Sequence, residues 1–389
     1  MSRAASHKDA RLFAGLDWRE LDTPCLTIDL DILERNIKLM ADFLALHGKH
    51  CRPHFKAHMC AGVAEKQMAA GAIGLCAAKV SAAEVLADHG ITDILLANQV
   101  NVPVKIKRLM ALAARSDVKV LADTPENIEQ LSAAAVAADV TLGVLVEVRA
   151  RSDLSTYAKG YTRNGIDTAD EALSAAKAID AAPGLIFKGV MAYEGPHPKV
   201  QDPEVRRTAI LKDFSVFFEF LEKAERAGLA CEIVSAGGTA TYHVTGLIDP
   251  VTELQPGSYA TMNTLKTPLA PDFDQSLHLV TSVVGRPEPE TAVLDVGMKS
   301  LKMSKQDTTE EDRDRPPAVS VDGLALHHLS EEHAAARLSG EALDLKIADR
   351  VMIAPSYGAP TINYHDRIYA LRGGVVEDVW RVDARGCSQ

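Results

Sequence analysis

The segment IGLCAAKVSAAEVLADHGITDILLANQ, residues 73–99, reads as strand, helix, strand. IGLCAAK (73–79) and DILLANQ (93–99) are short apolar runs of strand length. SAAEVLADHG (81–90), between them, is amphipathic at helical spacing and ends on a glycine. Two strands joined by one helix form a βαβ unit, whose strands lie parallel in one sheet.

The alternation continues outward in both directions. CRPHFK (51–56) precedes the segment, and VKVLAD (118–123), TLGVLVEV (141–148), LIFKGVMAY (185–193), EIVSAGG (232–238) and ELQPGSYA (253–260) follow it. Amphipathic stretches such as TPENIEQLSAAAVAADV (124–140) and TAILKDFSVFFEFLEKAERAG (208–228) lie between them. Eight repeats over about 210 residues fit a closed (β/α)8 barrel of the TIM type. A doubly wound open sheet shares this periodicity, which alone does not separate the two.

The flanks differ from this middle. TPCLTIDL (23–30) is a strand that leads into the helical DLDILERNIKLMADFLALHG (29–48). Beyond residue 265 the text turns to short strands punctuated by Gly and Pro: HLVTSVVGRP (278–287), TAVLDVGMKS (291–300), DRVMIAP (349–355), RIYALRGG (367–374) and VVEDVWRVDARG (375–386). No long helix separates them, so they read as a mostly antiparallel β domain. The expected division is an α/β barrel over residues 28–265 and a β domain built from 1–27 and 266–389. The charged stretch KQDTTEEDRDRPPAV (305–319) reads as an exposed loop.

Composition excludes some functions. A 389-residue chain with 47% hydrophobic and 24% charged residues is that of a globular protein. A net charge of −11 argues against a protein that tracks nucleic-acid phosphates. No stretch reaches the roughly 18–20 apolar residues of a membrane span, and MSRAASHKDARLFAGLDW lacks a signal-peptide core. The six cysteines form no C-x-x-C pair, which fits free thiols in a reducing compartment. The expected location is cytoplasmic, with no nucleic-acid or membrane partner.

Barrel enzymes keep their working residues at the C-terminal strand ends. RPHFKAH (52–58) ends the first barrel strand on Lys56, flanked by His54 and His58. A lysine there, taken alone, is a solvated charge; as a nucleophile it needs partial desolvation. SAGGTAT (235–241) and LQPGSYA (254–260) close the seventh and eighth strands, where barrels often bind phosphate through backbone N–H groups. Ser235, Gly237, Gly238, Thr239, Gln255, Gly257, Ser258 and Tyr259 are the candidate cradle. A glycine pair by itself marks only a tight turn, and its combination with Lys56 is far more specific.

Here the chain resembles the fold-type III pyridoxal-phosphate enzymes, in particular the group of D-threonine aldolase, 3-hydroxyaspartate aldolase and D-serine dehydratase. The blocks TPCLTIDLDILERNI, RPHFKAH, AAKVSAAEVLADHGITDILLANQV, FKGVMAYEG, VSAGGT, ELQPGSY, AVLDVGMKS and WRVDARG carry the resemblance along nearly the whole chain. The resemblance implies an alanine-racemase-like barrel with a β domain from both chain ends, in a head-to-tail homodimer with sites at its interface. It implies pyridoxal 5'-phosphate held by Lys56 as a Schiff base and a small amino-acid substrate. Arg163, in GYTRNGI, matches an arginine near the cofactor ring, and Tyr193 a tyrosine beside it.

The departures bear on the reaction. Relatives of this kind hold a divalent metal through H-x-C or H-x-D near the C-terminus, where APSYGAPTINYHD (354–366) places Tyr357 and Ala359. Alanine has no ligand atom and neutral tyrosine is a poor ligand, so no metal residue is assigned. His365 and Asp366 are adjacent and fall on opposite sides of an extended segment, as strand-edge polar residues. The aldolases tend to carry a histidine six residues after the tyrosine, where this chain has Lys199, with His197 nearby. RARSDLSTYAK (149–159) is longer than the usual turn.

The preferred reading is a lyase on a D-3-hydroxy amino acid, by retro-aldol cleavage or dehydration, with His58, His197 or Tyr357 as base in place of metal-bound water. The alternative is a racemase or epimerase with Lys56 and Tyr357 as its two bases. A non-catalytic pyridoxal-phosphate carrier resembles the barrel alone, and the region 266–389 speaks against it.

Overall fold

A computed structural model describes residues 12–150, 164–195, 202–302 and 318–389. The chain forms two compact units. One consists of Met40–Lys56, Gln67–Gly257 and Cys387–Gln389; the other of Met1–Leu39, Ala57–Lys66 and Ser258–Gly386.

The first strand of the chain, β1 (Cys25–Asp29), belongs to the second unit and is followed by helix α1 (Leu30–Leu46). The first unit is built on eight parallel strands: β2 (His50–Cys51), β3 (Leu75–Ala77), β4 (Asp93–Gln99), β5 (Asp117–Ala122), β6 (Leu142–Glu147), β7 (Leu185–Met191), β8 (Ile233–Ala236) and β9 (Glu253–Leu254). Their order is β2-β9-β8-β7-β6-β5-β4-β3. A parallel bridge between His54 and Cys76, with the Cys76 N–H donating to the Pro53 carbonyl at 2.9 Å, joins the two ends. The expected eight-stranded barrel is therefore present, and the open sheet is set aside.

Strands β5 and β6 are buried almost throughout, as a parallel sheet covered on both faces requires. Cys76, Leu95, Ala97, Leu121, Leu145 and Met191 form an interior cluster on which Tyr193 packs. The first and last barrel strands are shorter than the sequence pattern predicts. Pro53 and Pro256 lack an N–H and cannot continue the ladder, so β2 stops at Cys51 and β9 at Leu254.

The helices of this unit follow sequence rules. Helix α2 (Ala61–Ala69) begins in the second unit and ends in the first; α3 (Val80–Asp88), α4 (Pro103–Ala113), α5 (Pro125–Ala137) and α6 (Ala169–Ala181) lie in the first. Thr124 and Thr168 accept the N–H groups of Asn127 and Glu171, caps worth about 1 kcal/mol each. The single helix predicted over 208–228 is two, α7 (Pro203–Asp213) and α8 (Ser215–Arg226). The buried Phe214 sits at the joint, yet its N–H still reaches the Ile210 carbonyl and its own carbonyl the Phe218 N–H. The helical path therefore bends here without ending. Phe217, Phe220 and Ala224 line the buried stripe of α8. A four-residue helix, α9 (Tyr242–Thr245), follows β8.

The second unit is a nine-stranded sheet of β1, β10 (Leu277–Gly285), β11 (Thr291–Leu294), β12 (Ala318–Val319), β13 (Leu324–Leu329), β14 (Ala334–Leu338), β15 (Arg350–Ala354), β16 (Arg367–Arg372) and β17 (Val375–Arg381). All its pairings are antiparallel except β1 with β16. Leu21, Cys25, Val280, Tyr369, Leu371, Val376 and Val379 form its main apolar cluster. Sequence reading missed the β13–β14 hairpin because AAARL has helical propensity. Cross-strand pairing of Ala334 with both Leu294 and Leu329 overrides it. The expected extended segment at 354–366 is corrected as well. Gly358–Ile362 forms a short helix, α10, after which His365 lies in a turn, its Nε2 donating to the Ser300 carbonyl at 2.8 Å. Asp366 pairs with Arg385 at 2.7 Å. Most of the expected loop at 305–319 lies outside the described residues.

Candidate active site

Charged side chains pair inside the barrel. Arg52, 2% exposed, donates through Nε to both carboxylate oxygens of Glu253, at 2.9 and 3.0 Å, and through NH1 to Asp93. Lys119 Nζ reaches the same Asp93 oxygen at 2.7 Å. Burial works against the Arg52 charge, but Glu253 and Asp93 outweigh it and hold the guanidinium above its ordinary pKa. In barrels the C-terminal strand ends serve chemistry.

At the C-terminal end, β2 runs through Arg52, Pro53 and His54 into a 3₁₀ turn, Phe55–Ala57. Lys56 is exposed while Phe55, Ala57 and His54 are buried, so an exposed side chain rises from a buried base. Its charge is felt by the Cys76 thiol, although burial dominates there and pushes the thiol well above its ordinary pKa. The His54 N–H donates to the Pro256 carbonyl at 3.0 Å, tying the turn to the end of β9.

The turn after β8 has the shape that sequence reading expected. Gly237 has φ of +76° and an added Cβ would sit 3.1 Å from side-chain atoms of Leu254 and Thr245, so glycine is required. At Gly238 an added Cβ would meet only the Tyr193 ring, at 3.5 Å. Thr239 is buried. Ser235 points its hydroxyl into the barrel end, donating to Glu253 and accepting from Gln255 Nε2, both at 2.8 Å. Serine and glutamine thus brace the barrel end beneath the turn. Gly257 closes the first unit's share of the following loop.

Sequence reading missed a polar girdle at three neighbouring strand ends. Gln99 Nε2 donates to Asp123 at 3.1 Å and to the buried Glu147 at 2.5 Å, and its Oε1 accepts from Asn164 at 2.8 Å. Asp123 also accepts the Gly165 N–H at 3.0 Å. These side chains fasten the end of GYTRNGI to the barrel. The signal was present, since DILLANQ, VKVLAD and TLGVLVEV each end on or beside a polar residue after an apolar run. Arg163 and His197 lie outside the described residues, as does most of 149–159.

The remaining candidates belong to the second unit. His58 is 1% exposed and its Nδ1 accepts the Cys60 N–H at 3.3 Å. Ser258 accepts from Lys266 Nζ at 2.9 Å. Tyr259 is buried with its ring edge-on to Phe273. Tyr357, 41% exposed, sits at the N-terminus of α10, and Ala359 is in its first turn.

The first unit's residues fit pyridoxal phosphate. An exposed amine on a buried turn, an aromatic ring at Tyr193 and a glycine turn open above Gly238 occupy C-terminal strand ends of the same barrel. A divalent metal at the relatives' position does not fit, because Ala359 offers no donor atom. Among the described residues no group of three or more His, Cys, Asp or Glu is arranged to hold a metal ion. Also among the described residues, no helix is long and apolar enough to cross a membrane.

Comparison with known proteins agrees with this geometry. Residues 28–264 match the alanine racemase N-terminal domain family, and residues 276–371 match a serine dehydratase domain family. The chain is 35% identical to a 3-hydroxy-D-aspartate aldolase of Paracoccus denitrificans (strain Pd 1222), over 97% of this chain and 96% of that one. It is 34% identical to a D-threonine aldolase of an Arthrobacter species, over 95% and 94%. The solved D-threonine aldolase of Filomicrobium marinum superimposes with a TM-score of 0.87 at 33% identity, covering 97% of this chain and 99% of that one. The chain belongs to the alanine racemase N-terminal domain family, within the fold-type III pyridoxal-phosphate group.

Proposed function

We propose that this chain is a pyridoxal-phosphate-dependent lyase that cleaves or dehydrates a D-3-hydroxy amino acid, with Lys56 as the cofactor lysine. The observation that carries the reading is the exposed Lys56 amine rising from a buried turn at the C-terminal end of the barrel. Full-length similarity to two relatives named as aldolases supports the reaction class.

The bound cofactor supplies an electron sink for the pair released at the substrate's α-carbon. The chain supplies the rest. Lys56 Nζ would hold the cofactor through its aldehyde carbon, and Tyr193 would hold its ring. Backbone N–H groups of the Gly237–Thr239 turn, with Gly257, Ser258 and Tyr259, would hold the phosphate. His54 and Gln255 brace these ends, and Arg163 is assigned to the cofactor ring. A base removes the β-hydroxyl proton as the Cα–Cβ bond breaks, an aldehyde leaves, and a proton returns to the α-carbon. His58, His197 and Tyr357 are the candidates for that base. No metal enters the proposed reaction, because the residue types at the relatives' ligand positions do not support one.

We place the enzyme in the cytoplasm as a homodimer, with the barrel of residues 28–265 handling the cofactor. None of the six cysteines is in a disulfide, which fits a reducing compartment. The test is incubation of the holoenzyme with D-threonine, D-3-hydroxyaspartate and D-serine. Release of glycine with the matching aldehyde, or of a keto acid, agrees with the proposal. Solvent deuterium at the α-carbon with loss of optical purity and no bond cleavage contradicts it and marks a racemase.

A further inference from the structure

We propose that Glu194 is a positioning residue for the cofactor's phosphate, acting through the turn after β8 without touching the ligand. The inference rests on the assignment of the Gly237–Thr239 turn to phosphate.

Glu194 follows Tyr193 at the end of β7 and is 5% exposed. Its Oε1 accepts the Thr245 hydroxyl at 2.7 Å, while Oε2 is buried without a hydrogen bond. Burial raises its pKa, and the Thr241 and Thr245 hydroxyls and the N–H groups of Glu194 and Gly237 oppose that rise. Thr245 lies against the start of the turn, since a Cβ added at Gly237 would stand 3.1 Å from its side chain, so the carboxylate that holds Thr245 acts on Gly237 through it. Thr241 in turn accepts the Gly238 N–H at 3.0 Å, so whatever fixes Thr241 fixes the orientation of Gly238.

Electrostatics alone would not place an acid here. A negative charge beneath a phosphate cradle repels the phosphate, and a buried carboxylate is costly. Its usefulness lies in accepting: the Thr245 hydroxyl of α9 donates to it. The buried Oε2 leaves one acceptor in reserve for the turn to engage when it tightens on a ligand. Glutamine, with one oxygen and one NH₂, would present a donor to donors. Alanine would release the turn altogether.

The experiment compares apoprotein forms of the wild type, Glu194→Gln, Glu194→Ala and Thr245→Val. Dissociation constants are measured by absorbance titration with pyridoxal 5'-phosphate and with pyridoxal, which lacks the phosphate. Far-UV circular dichroism and thermal melting of the apoproteins monitor the fold. The expected result is a pyridoxal-phosphate dissociation constant raised about tenfold or more in Glu194→Ala, and by less in Glu194→Gln and Thr245→Val, with pyridoxal binding unchanged. Equal weakening of both ligands, or an undiminished preference for the phosphorylated one in Glu194→Ala, overturns the role of Glu194 alone. A wild-type protein that binds the two equally overturns the phosphate assignment of the turn and this inference with it.

Discussion

Arg52 and Glu253 form a two-toothed ion pair inside the closed barrel, Nε donating to both carboxylate oxygens at 2.9 and 3.0 Å, with both side chains 2% exposed. The pair joins the chain just after the first barrel strand to the last one. Removing one partner leaves the other charge buried. Arg52→Ala is therefore expected to lower stability by about 3–5 kcal/mol, measured by urea denaturation. Arg52→Met with Glu253→Leu should recover much of that loss.

Gly189 lies in β7 with φ of +135°, and an added Cβ would stand 2.0 Å from the Ile233 carbonyl oxygen of β8. Backbone cannot yield there without parting two barrel strands. Gly189→Ala is expected to cost about 3 kcal/mol or more and to depress the soluble yield. Retention of the wild-type melting temperature would contradict the close approach of these strands.

Acid should weaken the second unit. Burial lowers the pKa of His278 and His365 below the ordinary histidine value of 6.5. Between the folded and unfolded values the unfolded chain binds more protons, so stability is full above about pH 6.5 and falls as pH drops below it. Denaturation midpoints measured from pH 8 to pH 5 should show this decline, and His365→Gln should flatten part of it.

Chelation should leave the activity standing. A Lewis-acid metal supplies several kcal/mol, so its removal would slow a dependent enzyme about a hundredfold or more. With alanine at position 359, D-threonine cleavage after dialysis against EDTA is expected to stay within about twofold of the untreated rate. A large loss restored by Mn²⁺ would show that ligands come from elsewhere in the chain.

The barrel was legible because its signal is repeated eight times and each repeat is internally consistent. What the pattern could not show is where each ladder stops. Pro53 and Pro256 cut the outer strands to two residues, and Lys56 consequently stands on a turn beyond the strand. The β domain was legible in its long, β-branched strands and illegible at AAARL, where tertiary pairing overrode propensity. At the site, glycines and Lys56 carry chemistry in their residue type. The contacts of Glu147 with Gln99 and of Glu194 with Thr245 join residues 48 and 51 positions apart, which no local pattern encodes.

The central claim is that Lys56 Nζ holds the cofactor, and borohydride reduction of the purified holoenzyme tests it most directly. Reduction followed by proteolysis and peptide mass mapping is expected to find the pyridoxyl phosphate on Lys56, with Lys56→Ala folded but colourless. A modified lysine elsewhere, or a Lys56→Ala protein that keeps its visible absorption band, would contradict the account.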